Sequence, residues 1–248
     1  MIALVTGATS GIGEATARLL AQKGFDLIIT GRRKERLDKL CKDLQSCPSD
    51  CISLSFDIRD NKAVGKAISS LPEKWQKVNL LINNAGLAAG LSPIHQNEIS
   101  DWEQMIDTNI KGLLYITKII SAKMVERKQG HIINVSSIAG KEAYGNGAVY
   151  CATKHAVEAI SKAMRIDLNP YGIKVGTVSP GAVETEFSIV RLKDPDANKK
   201  VYEGYTPLTA DDIAQSITFM ATQPAHVNIA DILILPTAQA SASVFNKK

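Results

Sequence analysis

The sequence predicts an α/β protein: one doubly wound domain spanning residues 1–248, a seven-stranded parallel sheet with helices on both faces. Three observations lead there. Short apolar, β-branched runs alternate along the chain with stretches of helical periodicity. The first run ends in a glycine-rich turn that opens into a helix and then a second run, and such a crossover demands parallel pairing. No Pro/Gly/Ser linker and no internal repeat divides the chain.

The first strand, 2–6, stops at Gly7-Ala8-Thr9-Ser10-Gly11-Ile12-Gly13, after which Ala15, Ala17, Leu19 and Leu20 keep helical spacing until Gly24. A second strand, 27–30, breaks at Gly31-Arg32-Arg33. A helix at 35–44 leads through a Cys/Pro/Ser loop to a strand at 52–56 and Asp57. A helix around 63–71 precedes the strand at 78–82 and Asn83-Asn84-Ala85-Gly86. A long helical zone, 98–128, is interrupted near Asn109, since Asn is a poor helix former, and leads to the strand at 131–135. Helix 149–169 precedes strand 174–178, closed by Ser179-Pro180-Gly181, and helix 211–222 feeds the last strand, 232–235. Residues 184–206 stand apart, charged and without regular apolar spacing. A loop this long in a compact domain is more often functional than a disordered insertion.

With 248 residues, 45% hydrophobic and 22% charged, the chain can bury a sizeable core. A net charge of +4 without any basic block gives little reason to expect a nucleic-acid partner. No apolar run reaches the length of a membrane span, and the start Met1-Ile2-Ala3-Leu4-Val5 lacks the flanks of a signal peptide. A cytoplasmic protein without a membrane partner is expected. Cys41, Cys47, Cys51 and Cys151 form no C-x-x-C pair. Cys47 and Cys51 around Pro48 loosely resemble a metal loop, but no second ligand pair follows at zinc spacing, so reduced thiols and no metal are expected.

The chemistry-bearing residues fall at the strand ends. A glycine turn between strand and helix lets the backbone approach a pyrophosphate, which the helix N-terminus then favours. Gly7, Gly11 and Gly13 give G-x-x-x-G-x-G rather than the common G-x-G-x-x-G, and could also serve as a tight turn, but their place at the very start reads as dinucleotide binding. The second strand ends in Arg32 and Arg33 with no acid at the turn. An acid there would hold a ribose 2′-hydroxyl, whereas Arg forks suit a 2′-phosphate, so NADP is expected over NAD. Asp57 could accept from adenine, though Asp is common at such turns. Asn83-Asn84-Ala85-Gly86 and Ser136-Ser137 follow the fourth and fifth strands at the same edge. Tyr150 and Lys154 lie one helical turn apart, and a nearby ammonium pulls a phenol toward a useful acid/base range.

In order and spacing, T-G-A-T-S-G-I-G (6–13), N-N-A-G (83–86), Asn109, Ser137, Y-x-x-x-K (150–154) and P-G (180–181) resemble the short-chain dehydrogenase/reductases over the whole chain. The resemblance implies a Rossmann fold, hydride transfer with a nicotinamide, and a catalytic tetrad of Asn109, Ser137, Tyr150 and Lys154. Tyr150 would exchange a proton with the substrate oxygen, which Ser137 orients; Lys154 would tune Tyr150 and hold the nicotinamide ribose, and Asn109 would anchor a water beside Lys154. The cofactor surface it implies comprises Gly7, Thr9, Ser10, Gly11, Ile12, Gly13, Arg32, Arg33, Asp57, Ile58, Asn84, Ala85, Gly86, Tyr150, Lys154, Pro180, Gly181, Val183 and Thr185.

A closer likeness runs through G-R-R-x-E-R-L (31–37), L-P-E-K-W (71–75), D-W-E-x-M-I-D-T-N (101–109), M-V-E-R (124–127), G-H-I-I-N (130–134) and P-A-H-V-N-I (224–229). These are similar to the NADP-dependent 3-hydroxy acid dehydrogenases, which include serine and allo-threonine dehydrogenases. The expected reaction interconverts small 3-hydroxy and 3-oxo acids. The segment Ala182-Val183-Glu184-Thr185-Glu186-Phe187 departs from the longer, glycine-containing version of some members, so substrate length or stereochemistry can differ. A substrate carboxylate needs a cation, for which Arg191 is the candidate alongside Ser137 and Tyr150 at the substrate; its plain alternative is a surface Arg. Rival functions are a reductase of 3-oxoacyl thioesters or sugars, and an NADP-sensing protein without turnover. Family analogy implies a homotetramer.

Overall fold

The computed structural model describes residues 1–192 and 201–248. One parallel sheet runs in the order β3-β2-β1-β4-β5-β6-β7. Its strands are β1 (Ile2–Thr6), β2 (Asp26–Gly31), β3 (Cys51–Ser55), β4 (Val78–Asn83), β5 (Gly130–Val135), β6 (Ile173–Pro180) and β7 (Asp231–Ile234). The helices are α1 (Gly11–Gln22), α2 (Lys34–Asp43), α3 (Asn61–Ser69), α4 (Ile99–Ile106), α5 (Leu113–Arg127), α6 (Ala148–Leu168), α7 (Glu186–Leu192) and, last in the chain, α8 (Ala210–Ala221). Each strand and helix expected from periodicity is present within a few residues.

Alternation along β1 shows why the sheet is covered on both sides. Ala3 and Val5 join the core beneath α1, α2 and α8, with Leu20, Leu37 and Ile217. Ile2 and Leu4 join the opposite core beneath α3 and α5, with Ile68, Ile116 and Met124. Successive strand side chains point to opposite faces, so a strand apolar at every position must be buried twice. The order in which strands are added reverses between β1 and β4, parallel neighbours at the centre of the sheet. Their carboxyl ends splay the following turns apart there, and that crevice is where such sheets take ligands.

Three local findings refine the sequence reading. The interruption near Asn109 is a π-helical stretch, Asp107–Gly112, between α4 and α5. Such an extra residue bulges a helix outward and is frequent at functional sites. The expected irregular loop at 184–206 includes helix α7, while 193–200 lie outside the described residues. The expectation of four reduced thiols gives way at one pair: Cys41 and Cys51 are joined, and Cys47 and Cys151 are free. The end of α2 lies against the start of β3, with the two Cα atoms 5.4 Å apart, within the reach of a disulfide and invisible to sequence spacing. No helix among the described residues is long and apolar enough to cross a membrane.

Candidate active site

A cleft of about 700 Å³ runs along the carboxyl edge of the sheet. Its first wall is the turn after β1. Gly7 adopts φ +67°, and a Cβ there would stand 2.9 Å from Ala85 Cα, so only glycine lets the β1 and β4 turns approach. Asn84 fastens the two: its Nδ2 donates to the carbonyls of Thr6 and Gly7 at 2.9 and 3.1 Å. Helix α1 then starts at Gly11 with no side chain capping it, which leaves main-chain N–H groups for an anion. Gly13, expected among the cofactor contacts, is buried below the cleft, where a Cβ would overlap the Gly7 carbonyl and the Asn84 amide. Packing alone excludes a side chain at this position. Thr9, Ser10, Gly11, Ile12, Ile58, Ala85, Gly86, Pro180, Gly181, Val183 and Thr185 do line the cleft.

At the end of β2 the Arg33 guanidinium is held by Thr9 and Ser10. Nη2 donates to Thr9 Oγ1 and Ser10 Oγ, both at 2.8 Å. Nη1 donates to Glu186, whose other carboxylate oxygen takes Arg36 at 2.7 Å. The Arg36 and Arg33 hydrogen bonds pull the Glu186 carboxyl down to about 2. An anion already rests where the sequence places a phosphate-binding arginine. Arg32 also lines the cleft. Asp57, read as an adenine acceptor, has both carboxylate oxygens on the Arg59 guanidinium, at 3.0 to 3.1 Å from Nε and 2.6 Å from Nη2.

The tetrad positions meet at the centre. A buried polar chain sets α6 against the sheet: Asn83 Nδ2 donates to Asn134 Oδ1, and Asn134 Nδ2 to Ser161 Oγ, each at 2.8 Å. This brings Tyr150 and Lys154, on the inner face of α6, to the ends of β5 and β6. Lys154 Nζ donates to the Val135 carbonyl at 2.9 Å and lies 5.9 Å from the Tyr150 ring centroid. Burial pushes its pKa down to about 8, with Glu158 opposing. Ser137, at the end of β5, accepts from Ala139 N at 3.1 Å. The Asn109 amide is engaged with Leu87 N and O at 2.9 and 2.8 Å and with Thr153 Oγ1 at 3.0 Å. It ties the π-helical stretch to α6 and to the segment after β4.

The electrostatics of Tyr150 differ from the expectation that Lys154 lowers its pKa. Burial dominates and raises the phenol well above its ordinary value; Ser137 and Arg191 pull the other way. Desolvation of the phenolate outweighs the Ser137 hydroxyl and the Arg191 cation because the ring is enclosed by Leu87, Ala139 and Phe187. The Phe187 ring centroid is 5.7 Å from that of Tyr150.

Arg191 does reach the site. Its Cζ lies 5.5 Å from the ring centroids of both Tyr144 and Tyr150. Sequence reasoning missed Tyr144, Phe187, Glu186 and Arg36. A single tyrosine in the glycine-rich turn six residues before Tyr150 was the one signal available for the first. The others depend on where α7 lands.

The family model described as short chain dehydrogenase matches residues 1–196. An NADP-dependent 3-hydroxy acid dehydrogenase of Salmonella typhi is 45% identical over 246 residues, 98% of either chain. A serine 3-dehydrogenase of Rhizobium radiobacter is 42% identical over 240 residues, covering 96% of this chain and 95% of its own. Among solved structures, the closed form of a serine dehydrogenase complexed with NADP+ superposes with TM-score 0.93 at 42% identity, covering both chains fully. With the strand order, the glycine turn and the tetrad positions in place, the chain belongs to the short-chain dehydrogenase family.

Proposed function

We infer that this enzyme is an NADP(H)-dependent oxidoreductase that interconverts small 3-hydroxy acids and 3-oxo acids. The observation that carries the acid specificity is the Arg191 guanidinium beside the Tyr150 ring, with Nη2 removed from solvent and without a hydrogen-bond partner among the described residues. A buried donor nitrogen left without an acceptor is costly, and a carboxylate is the ligand that suits a half-buried guanidinium whose Nη1 and Nε are already engaged. The likeness to 3-hydroxy acid and serine dehydrogenases supports the same reading.

The residues present fit NADP. Gly7 leaves the backbone open where a Cβ would intrude, α1 presents uncapped N–H groups, and Arg33 with Arg32 faces the position of a 2′-phosphate. A bound nicotinamide dinucleotide supplies or accepts the hydride. The protein manages the proton. Tyr150 gives its hydroxyl proton to the carbonyl oxygen in reduction, a task for which a raised pKa keeps it loaded. In the opposite direction it must lose that proton, and the Ser137 hydroxyl and the Arg191 guanidinium are the groups that favour the phenolate. Ser137 would orient the substrate oxygen, and Lys154, cationic at neutral pH, would hold the nicotinamide ribose. Asn109 fixes the helix bulge beside Lys154 and anchors the water that carries the proton away.

The test is NADP reduction with L- and D-serine, the threonine isomers, 3-hydroxypropionate and 3-hydroxyisobutyrate, and the reverse reaction on malonic semialdehyde. Turnover of acids with NADP is expected. Turnover confined to thioesters, sugars or neutral alcohols, or cofactor binding without turnover, overturns the reading.

A further inference from the structure

Tyr144 has no place in the hydride or proton path, yet it is built into the cleft. It stands on the turn between Ser137 and α6, where a Cβ at Gly147 would overlap its ring, so the ring is packed down on its own turn. Arg191 Nη1 donates to Tyr144 Oη at 3.0 Å, and the guanidinium carbon is 5.5 Å from the ring centroid. Arg191 Nε faces the Gly90 carbonyl at 3.4 Å, and Gly90 N donates to the Arg191 carbonyl at 3.1 Å. The arginine is therefore fixed from two sides, and Nη2 is the nitrogen left without a hydrogen-bond partner among the described residues.

A guanidinium accepts no hydrogen bonds, so the Tyr144 oxygen is the acceptor in this pair, and its hydroxyl hydrogen faces only the weak acceptor sulfur of Cys151, which a carboxylate would displace. We propose that Tyr144 and Arg191 form a two-donor carboxylate clamp, Nη2 to one oxygen and the Tyr144 hydroxyl to the other, that sets the enzyme's preference for acids whose carboxylate lies one carbon from the carbinol. The closeness of Arg191 to both rings gives the clamp its reach: a carboxylate held between Arg191 and Tyr144 stays near the Tyr150 hydroxyl. Burial raises the Tyr144 pKa while Arg191 lowers it, and the net upward direction keeps the hydroxyl a donor. Cys151 lies against the same hydroxyl, but a thiol is a weak partner beside a carboxylate. The clamp rests on the acid reading above and adds Tyr144 as a specificity-determining residue.

Tyr144→Phe keeps the ring and removes the donor. KM and kcat at saturating NADP are measured for 3-hydroxypropionate and for its neutral amide, whose inhibition constant serves if it is not turned over; NADPH fluorescence verifies the fold. The expected result is a rise of at least about tenfold in KM for the acid, the loss of one hydrogen bond to a charged group. The amide constants and kcat stay unchanged. An equal change for acid and amide, or no change in either, overturns the clamp. Arg191→Met separates the two levels: if it alone is acid-selective, the clamp falls and the acid reading stands. If the unsubstituted enzyme turns over no hydroxy acid, both fall.

Discussion

The glycine turn after β1 and the guanidinium of Arg191 face the same cleft, yet they arrive by different routes. The nucleotide end is assembled from turns that immediately follow β1, β2 and β4, each a few residues long and each fixed by the strand before it. Its closest approaches involve backbone, as where Gly7 meets Ala85 and the Asn84 side chain bonds the Thr6 and Gly7 carbonyls. The substrate end is made of side chains. Arg191 bonds Tyr144, 47 positions away, and Gly90, 101 positions away. Backbone geometry at strand ends tolerates little change, whereas side chains on a short helix such as α7 can be retuned.

Four substitutions would break or sharpen this contrast. The largest effect is expected where the two ends meet: Tyr150→Phe should lower kcat by about 10²–10⁴, the value of positioned acid–base catalysis. NADPH binding by fluorescence should be unchanged; retained turnover would remove Tyr150 from the mechanism. At the backbone-built end, Gly13→Ala forces a methyl into the Gly7 carbonyl and the Asn84 amide. A loss of about 1–3 kcal/mol in urea unfolding is expected, the usual cost of overpacking. If stability is kept while only NADP affinity falls, Gly13 is a contact rather than a spacer.

Arg33→Ser removes the guanidinium that Thr9 and Ser10 hold. KM for NADP should rise about tenfold or more, as for other charge-assisted hydrogen bonds, with KM for NAD little altered. Parallel changes for both nucleotides would move the 2′-phosphate elsewhere. The smallest effect belongs to Glu186, which ties the ends together. Its folded pKa, about 2, lies below the ordinary 4.5, so its contribution is complete above that value and is lost as pH falls toward 2. With 41% of the side chain exposed, screening limits the ion pairs to under about 1 kcal/mol. Glu186→Gln should therefore lower stability slightly at neutral pH and flatten its decline in acid; an unchanged acid limb in melting curves would show that the pairs contribute nothing.

How much could be read beforehand follows the same division. The strands, the helices and the positions of Gly7, Arg33, Asn84, Ser137, Tyr150 and Lys154 are local features, because period and turn chemistry are properties of neighbouring residues. Asn109 announced itself as a poor helix former inside a helix, and a π-helical stretch is what the chain makes of it. The partners of those residues were not legible. That Arg59 holds the Asp57 carboxylate, and that the Asn84 amide and the Gly7 carbonyl close over Gly13, are contacts between distant or turned-back segments that spacing does not announce. Cys51 was set beside Cys47 by spacing and is joined to Cys41 by the packing of α2 on β3.

By itself the sequence determined the parallel sheet, the edge that carries the site, and the residue types at each strand end, since these depend on hydrophobic period and backbone conformation. Only the tertiary structure decided what surrounds the Tyr150 ring, and therefore that burial rather than Lys154 dominates its pKa. It alone brought Arg191 against Tyr144. Desolvation and the pairing of distant charges depend on distances through space, and the chain defines those only once α7 has settled against the sheet's edge.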